Sequence, residues 1–169
     1  KEPIVYPAFY QVHPPDLCEK MFDHQMRHFC LELVENKFER LMKNAEKGQP
    51  GLVHEWLSLF RGLPPERAQH AFTELIAVFE QIRDDLTPEQ TIHCDWLAGC
   101  LEYIRIQVTP RLENESLKTY LSLPLEEWPE PEKLPGQLKP RFVRLRHWRE
   151  SPFYQLTKQE AGPQGSQAE

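Results

Sequence analysis

Between Pro65 and Asp84 the apolar residues Ala68, Ala71, Phe72, Leu75, Ile76, Phe79 and Ile82 recur at i, i+3, i+4 and i+7. In an α-helix those positions share one face, whereas a strand, with its period of two, would scatter them over both. Pro64 and Pro65 open the stretch, where proline's missing N–H is no loss because the first helical N–H groups have no internal partner. The spacing predicts a helix over 65–84. The same logic extends along most of the chain, so the expected fold class is all-α.

Upstream, Asp16 follows Pro14 and Pro15 and precedes Glu19 by three positions, which is helix-start chemistry of the capping-box kind. From there apolar residues come at steps of four: Leu17/Cys18, Met21/Phe22, Met26, Phe29/Cys30, Leu33/Val34, Phe38, Leu41/Met42 and Ala45. A step of four outruns the 3.6-residue turn, so the stripe rotates by about 40° per step and winds around the helix. Such a helix needs cover from more than one side, which makes residues 16–47 the expected long central helix. Gly48, Pro50 and Gly51 end it. A short helix over 52–61 follows, with Trp56, Leu57 and Phe60 on its apolar face. Thr87-Pro88-Glu89-Gln90 then starts a helix over 88–108, with Thr as N-cap, Pro in first position and Gln three residues after the cap. Its stripe is Ile92, Trp96, Leu97, Cys100, Leu101, Ile104 and Val108. Thr109-Pro110 interrupts it, and a polar helix over about 111–122 continues.

The two ends read differently. Residues 3–13, PIVYPAFYQVH, hold two prolines and three aromatics, which suits an extended arm packed across the domain. Pro124, Pro129, Pro131, Pro135 and Pro140 make the stretch after residue 122 an expected extended linker, acidic through Glu126, Glu127, Glu130 and Glu132 and punctuated by Trp128. The organisation expected is a helical domain with an N-terminal extended arm over 1–122, a Pro-rich acidic linker with a basic-aromatic docking arm over 123–157, and a disordered tail over 158–169. The architecture is a helical bundle, or alternatively a short HEAT-like helical stack, carrying extended N- and C-terminal arms.

Little in the chain points to catalysis. Cys18, Cys30, Cys94 and Cys100 fall in helical apolar patterns without any Cys-x-x-Cys pair, so they read as core thiols in a reducing compartment. His24 and His28 stand four apart, close enough to share a metal, but HQMRH lacks the glutamate of a metalloprotease helix and has no evident third ligand. Neither a nucleophile elbow nor a phosphate-cradling glycine loop occurs. We expect no enzyme activity, no cofactor and no resident metal, with a metal-dependent hydrolase built on His24 and His28 as the remotest alternative. No run approaches the ~20 apolar residues of a membrane span.

The charge pattern is more informative. RFVRLRHWR, residues 141–149, packs four arginines and two aromatics into nine positions of a chain whose net charge is -6. Before residue 138 the chain carries 14 basic against 23 acidic residues. Arginines interleaved with rings suit single-stranded RNA, where bases stack and guanidinium groups take phosphate. Yet a chain this acidic repels a phosphate backbone. The alternatives are docking in cis, on acidic helix faces carrying Glu32, Glu35, Glu39, Glu74 or Glu80, or docking on an acidic partner protein. The expected function is a protein-protein interaction or scaffold module, a subunit of an intracellular assembly in nucleus or cytoplasm, with an RNA-binding protein using residues 139–149 as the alternative. The candidate partner-binding residues are the arm residues Tyr6, Phe9, Tyr10, Trp128, Arg141, Arg144, Arg146, Trp148, Phe153 and Tyr154, since aromatics and arginines dominate interface energies.

Overall fold

The computed structural model describes residues 51–157 and, before them, 24–28, 30–32, 34, 39–40, 43 and 46–48; for Leu52 it describes the backbone alone. The N-terminal arm with Tyr6, Phe9 and Tyr10, the capping pattern at Asp16, Cys18 and the tail over 158–169 lie outside the described residues.

The protein is an all-α bundle, and among the described residues there is no strand. Its helices are α1 (Gly51–Arg61), α2 (Pro65–Ile82), α3 (Pro88–Val108), α4 (Leu112–Leu121) and α5 (Lys139–Arg149). Short 3-10 turns follow α2 (Arg83–Asp85) and separate α4 from α5 (Leu125–Glu127 and Pro131–Lys133). Residues 153–157 are helical again. Every described residue from 24 to 46 is helical, and Met26, Cys30 and Val34, four apart, are buried. Gly48 then takes a φ of 78°, the left-handed turn that ends a helix most cheaply at glycine.

The α2 stripe is buried as its spacing requires, from Ala68 and Ala71 through Phe72, Leu75, Ile76 and Phe79 to Ile82. At the start of α3, Gln90 N–H donates to Thr87 Oγ1 at 3.2 Å and Thr87 N–H donates back to Gln90 Oε1 at 3.0 Å, a complete capping box. Among the described residues the central helix is α3: it touches α1, α2, α4 and α5, and α5 most extensively. The expected long helix over 16–47 lies largely outside the described residues. The α3 sequence is buried on more than its stripe, with Ala98, Gly99, Glu102, Arg105 and Ile106 inside as well. Of the expected stripe, Ile92 is half exposed.

The proline-rich stretch is also more ordered than a linker. Proline is tolerated at the start of a 3-10 turn, and Pro131 occupies that position. The two turns carry Trp128 into a second apolar cluster with Ile106, Leu117, Phe142 and Leu145. The first cluster joins α1, α2 and α3 to Trp148, Phe153 and Leu156. Residues 123–157 are thus built into the same interior as residues 51–122, and the basic segment is a helix flush against α3 rather than an arm across the bundle.

Candidate functional site

The α3–α5 contact is unusually close. Gly99 faces α5, and a Cβ at that position would lie 2.7 Å from the Trp148 backbone nitrogen and closer still to the Arg144 carbonyl oxygen. Only glycine lets the two backbones meet there. One turn further along α3, Glu102 is wholly buried. An isolated carboxylate in such a place would be prohibitive, so it must be paired.

Three guanidinium groups surround it. Arg141 donates from Nε to Glu102 Oε2 at 2.6 Å, and Arg144 donates from Nε to Glu102 Oε1 at 3.2 Å. Arg105, one turn along α3 from Glu102, reaches the same Oε1 at 3.5 Å. Arg141 also donates to Asn114 Oδ1 at 2.6 Å, while the Asn114 amide donates to the carbonyls of Thr109 and Arg105 at the end of α3. Arg144 extends the chain outward to Glu80 on α2 at 3.3 Å. Arg105 is the least well served: its Nε has no hydrogen-bond partner and its side chain is 8% exposed. Burial pulls its pKa down to about 10, Glu102 works against that, and Arg141 and Arg144 reinforce it.

The remaining arginines of α5 turn to the opposite side. Arg149 donates to the Leu123 carbonyl at 3.0 Å, with its guanidinium 5.3 Å from the Trp128 ring and 4.8 Å from that of Tyr154. Arg146 lies 5.8 Å from the Trp128 ring and 5.9 Å from that of Phe142. Trp128 itself donates to the Leu123 carbonyl at 3.3 Å. Trp148 is fully buried and stacks on Tyr103 at 4.6 Å.

Of the sequence-derived candidates, then, Trp128, Arg141, Trp148 and Phe153 are buried in this chain's own interior, and Arg144, Arg146 and Tyr154 are half-buried against it. The structure gathers all seven on and around α5. Glu80 is one of the acidic residues expected to receive the arginines; Glu102, which takes Arg141 and Arg144 together with Arg105, is the residue the sequence reading passed over. The signal for it was present: in C-L-E-Y-I-R-I, a helix apolar nearly all round is buried nearly all round, so its one acid must be paired inside.

Between α2, α3 and α5 lies a cleft of about 320 Å³. Its floor is apolar, formed by Ile76, Phe79, Ala98, Pro140 and Val143. Glu80, Arg83, Asp95, Lys139, Arg144 and His147 rim it. Arg83 donates to Asp95 at 3.0 Å, and His147 stands 3.9 Å from the same carboxylate.

His24 and His28 are exposed, and among the described residues no group of three or more His, Cys, Asp or Glu side chains could hold a metal ion. Nor is any helix there long and apolar enough to cross a membrane. Cys30, Cys94 and Cys100 are buried free thiols, and burial raises the pKa of each, to about 12 for Cys94.

The fold and the cleft define a class, an all-α bundle with a side-chain-sized groove. Compared with known proteins, the chain matches no family model, no curated protein and no solved structure.

Proposed function

We propose that the protein is a non-enzymatic protein-protein interaction module, a scaffold or subunit domain of an intracellular assembly in nucleus or cytoplasm. The observation that carries this reading is the cleft between α2, α3 and α5. An apolar floor with a rim of both charge signs suits the core-and-rim make-up of a protein interface. Buried free thiols support the reducing compartment.

The rival use of residues 139–149 as an RNA contact loses support from the same geometry. Arg141 and Arg144 are spent on Glu102 and Glu80, and Arg146 and Arg149 lie on the rings of Trp128, Phe142 and Tyr154. Freeing Arg141 and Arg144 for phosphate would unpair buried Glu102 on α3.

Affinity purification of the full chain under gentle conditions, followed by reconstitution from purified components, tests the proposal. The expected result is a stoichiometric complex that persists through gel filtration. Recovery of no reproducible partner, or a labelled RNA probe retained at physiological salt, would overturn it.

A further inference from the structure

We infer that the cleft between α2, α3 and α5 receives a short segment of a partner protein in which an acidic residue adjoins large apolar ones. The inference rests on the interaction-module reading above and assigns it a place and a ligand chemistry.

The first argument is charge. The chain as a whole carries a net charge of -6, yet the cleft places three fixed cations, Arg83, Lys139 and Arg144, against two carboxylates, Glu80 and Asp95. Both carboxylates already have partners within the cleft, Glu80 in Arg144 and Asp95 in Arg83 and His147. Lys139 is exposed and makes no ion pair among the described residues. It is therefore the charge the rim leaves to be answered from outside.

The second argument is the backbone behind Lys139. It is the first residue of α5, which has no side-chain cap and no acidic residue in its first turn. The positive end of the helix and the ammonium group thus act together at one end of the cleft. A carboxylate seated there would answer both, as acidic residues do in the first turn of other helices.

The third argument is size and floor. A volume of about 320 Å³ stands at the lower end of small-molecule sites and accommodates one or two large side chains. Phe79 and Ala98 are buried beneath it, and Val143 beside them is half-buried. A leucine or aromatic side chain entering over Val143 would place a neighbouring acidic residue toward Lys139.

The test is selection from a random linear-peptide display library on the full chain, with binding of individual synthetic peptides then measured. The expected winners carry Asp or Glu beside Leu, Ile, Met or an aromatic. Their affinity should fall about tenfold or more on Lys139→Glu, and again on Val143→Arg, and should weaken with salt. Lys139→Glu should leave the melting temperature unchanged or higher, since it supplies the acid that the first turn of α5 lacks. That separates a lost contact from a lost fold. Basic or neutral winners, acidic winners indifferent to both substitutions, or no enrichment would each overturn the assignment. So would concentration-dependent dimers that Val143→Arg dissolves, because the occupant would then be a second copy of the chain. A reconstituted partner that ignores both substitutions overturns the cleft and leaves the interaction module standing; the absence of any partner undoes both.

Discussion

Gly99 on α3 and Trp148 on α5 meet backbone to backbone, with no room between them for even one methyl group. The atoms that a Cβ would strike are main-chain atoms, which cannot swing aside as a side-chain tip does. Gly99→Ala must therefore push the helices apart, although alanine is the better helix former by about 1 kcal/mol. We expect a net destabilisation of about 2–3 kcal/mol and a fall in melting temperature of several degrees, read by calorimetry. A variant as stable as the parent would show that α5 is not seated as described.

Glu102 and Arg105 make an opposed pair of predictions. Glu102→Gln removes the only carboxylate among the described residues that Arg141 and Arg105 reach and one of the two there that Arg144 reaches, at an expected cost of about 3–5 kcal/mol in chemical denaturation. Arg105→Met removes the guanidinium with the longest bond and the unpaired Nε, along with its position 6.0 Å from the Phe72 ring, and leaves an apolar side chain in the buried site. That change should be neutral or stabilising, because one carboxylate then faces two cations rather than three. If the two variants lose stability equally, the charges are not arranged around Glu102 as a centre.

The buried thiols set a pH dependence. Cys30, Cys94 and Cys100 hold their protons more tightly folded than unfolded, so their contribution is fully present below pH 9 and is lost as pH rises from there toward about 12. Each thiol can lower stability by up to about 1.4 kcal/mol per pH unit in that window. Melting temperature should fall between about pH 9 and 10.5, and less steeply in Cys100→Ala. With a thiol reagent at pH 8 the native chain should titrate at most one of its four cysteines, and all four in denaturant.

Arg149 fastens the Pro-rich stretch to α5 through the Leu123 carbonyl and the Trp128 ring, and lies on Tyr154 beyond the helix. Arg149→Ala should cost about 1–2 kcal/mol in urea unfolding, whereas Arg146→Ala, with ring contacts alone, should cost about half as much. Equal costs would refute the role given to the Leu123 carbonyl.

The helices were legible wherever apolar residues kept a single period and a chemically distinct start. The α2 stripe and the Thr87 capping box follow from spacing and caps, which are local physics. The α3–α5 contact was not legible in that way. Its determinants are a glycine that matters only because another backbone arrives and a glutamate whose partners lie some forty residues on. Within the proline-rich stretch, proline forbids helix and ladder but not two short turns that deliver a tryptophan, and spacing alone does not place them. For the candidate site, composition marked Arg141, Arg144, Arg146 and Arg149 as important, and their destination required knowing that Glu102 is inside.

The dependence of α3 on residues 139–149 also sets an order of assembly. Until α5 has emerged from the ribosome, Glu102, Tyr103 and Ile106 lack the α5 residues that cover them, Arg141, Trp148 and Phe142. The closing step joins segments far apart in sequence, which is the slow kind of contact to make. A nascent or truncated chain ending at the proline-rich stretch would present an apolar ridge with a lone carboxylate in its middle, a surface suited to chaperone capture until its last cationic helix arrives.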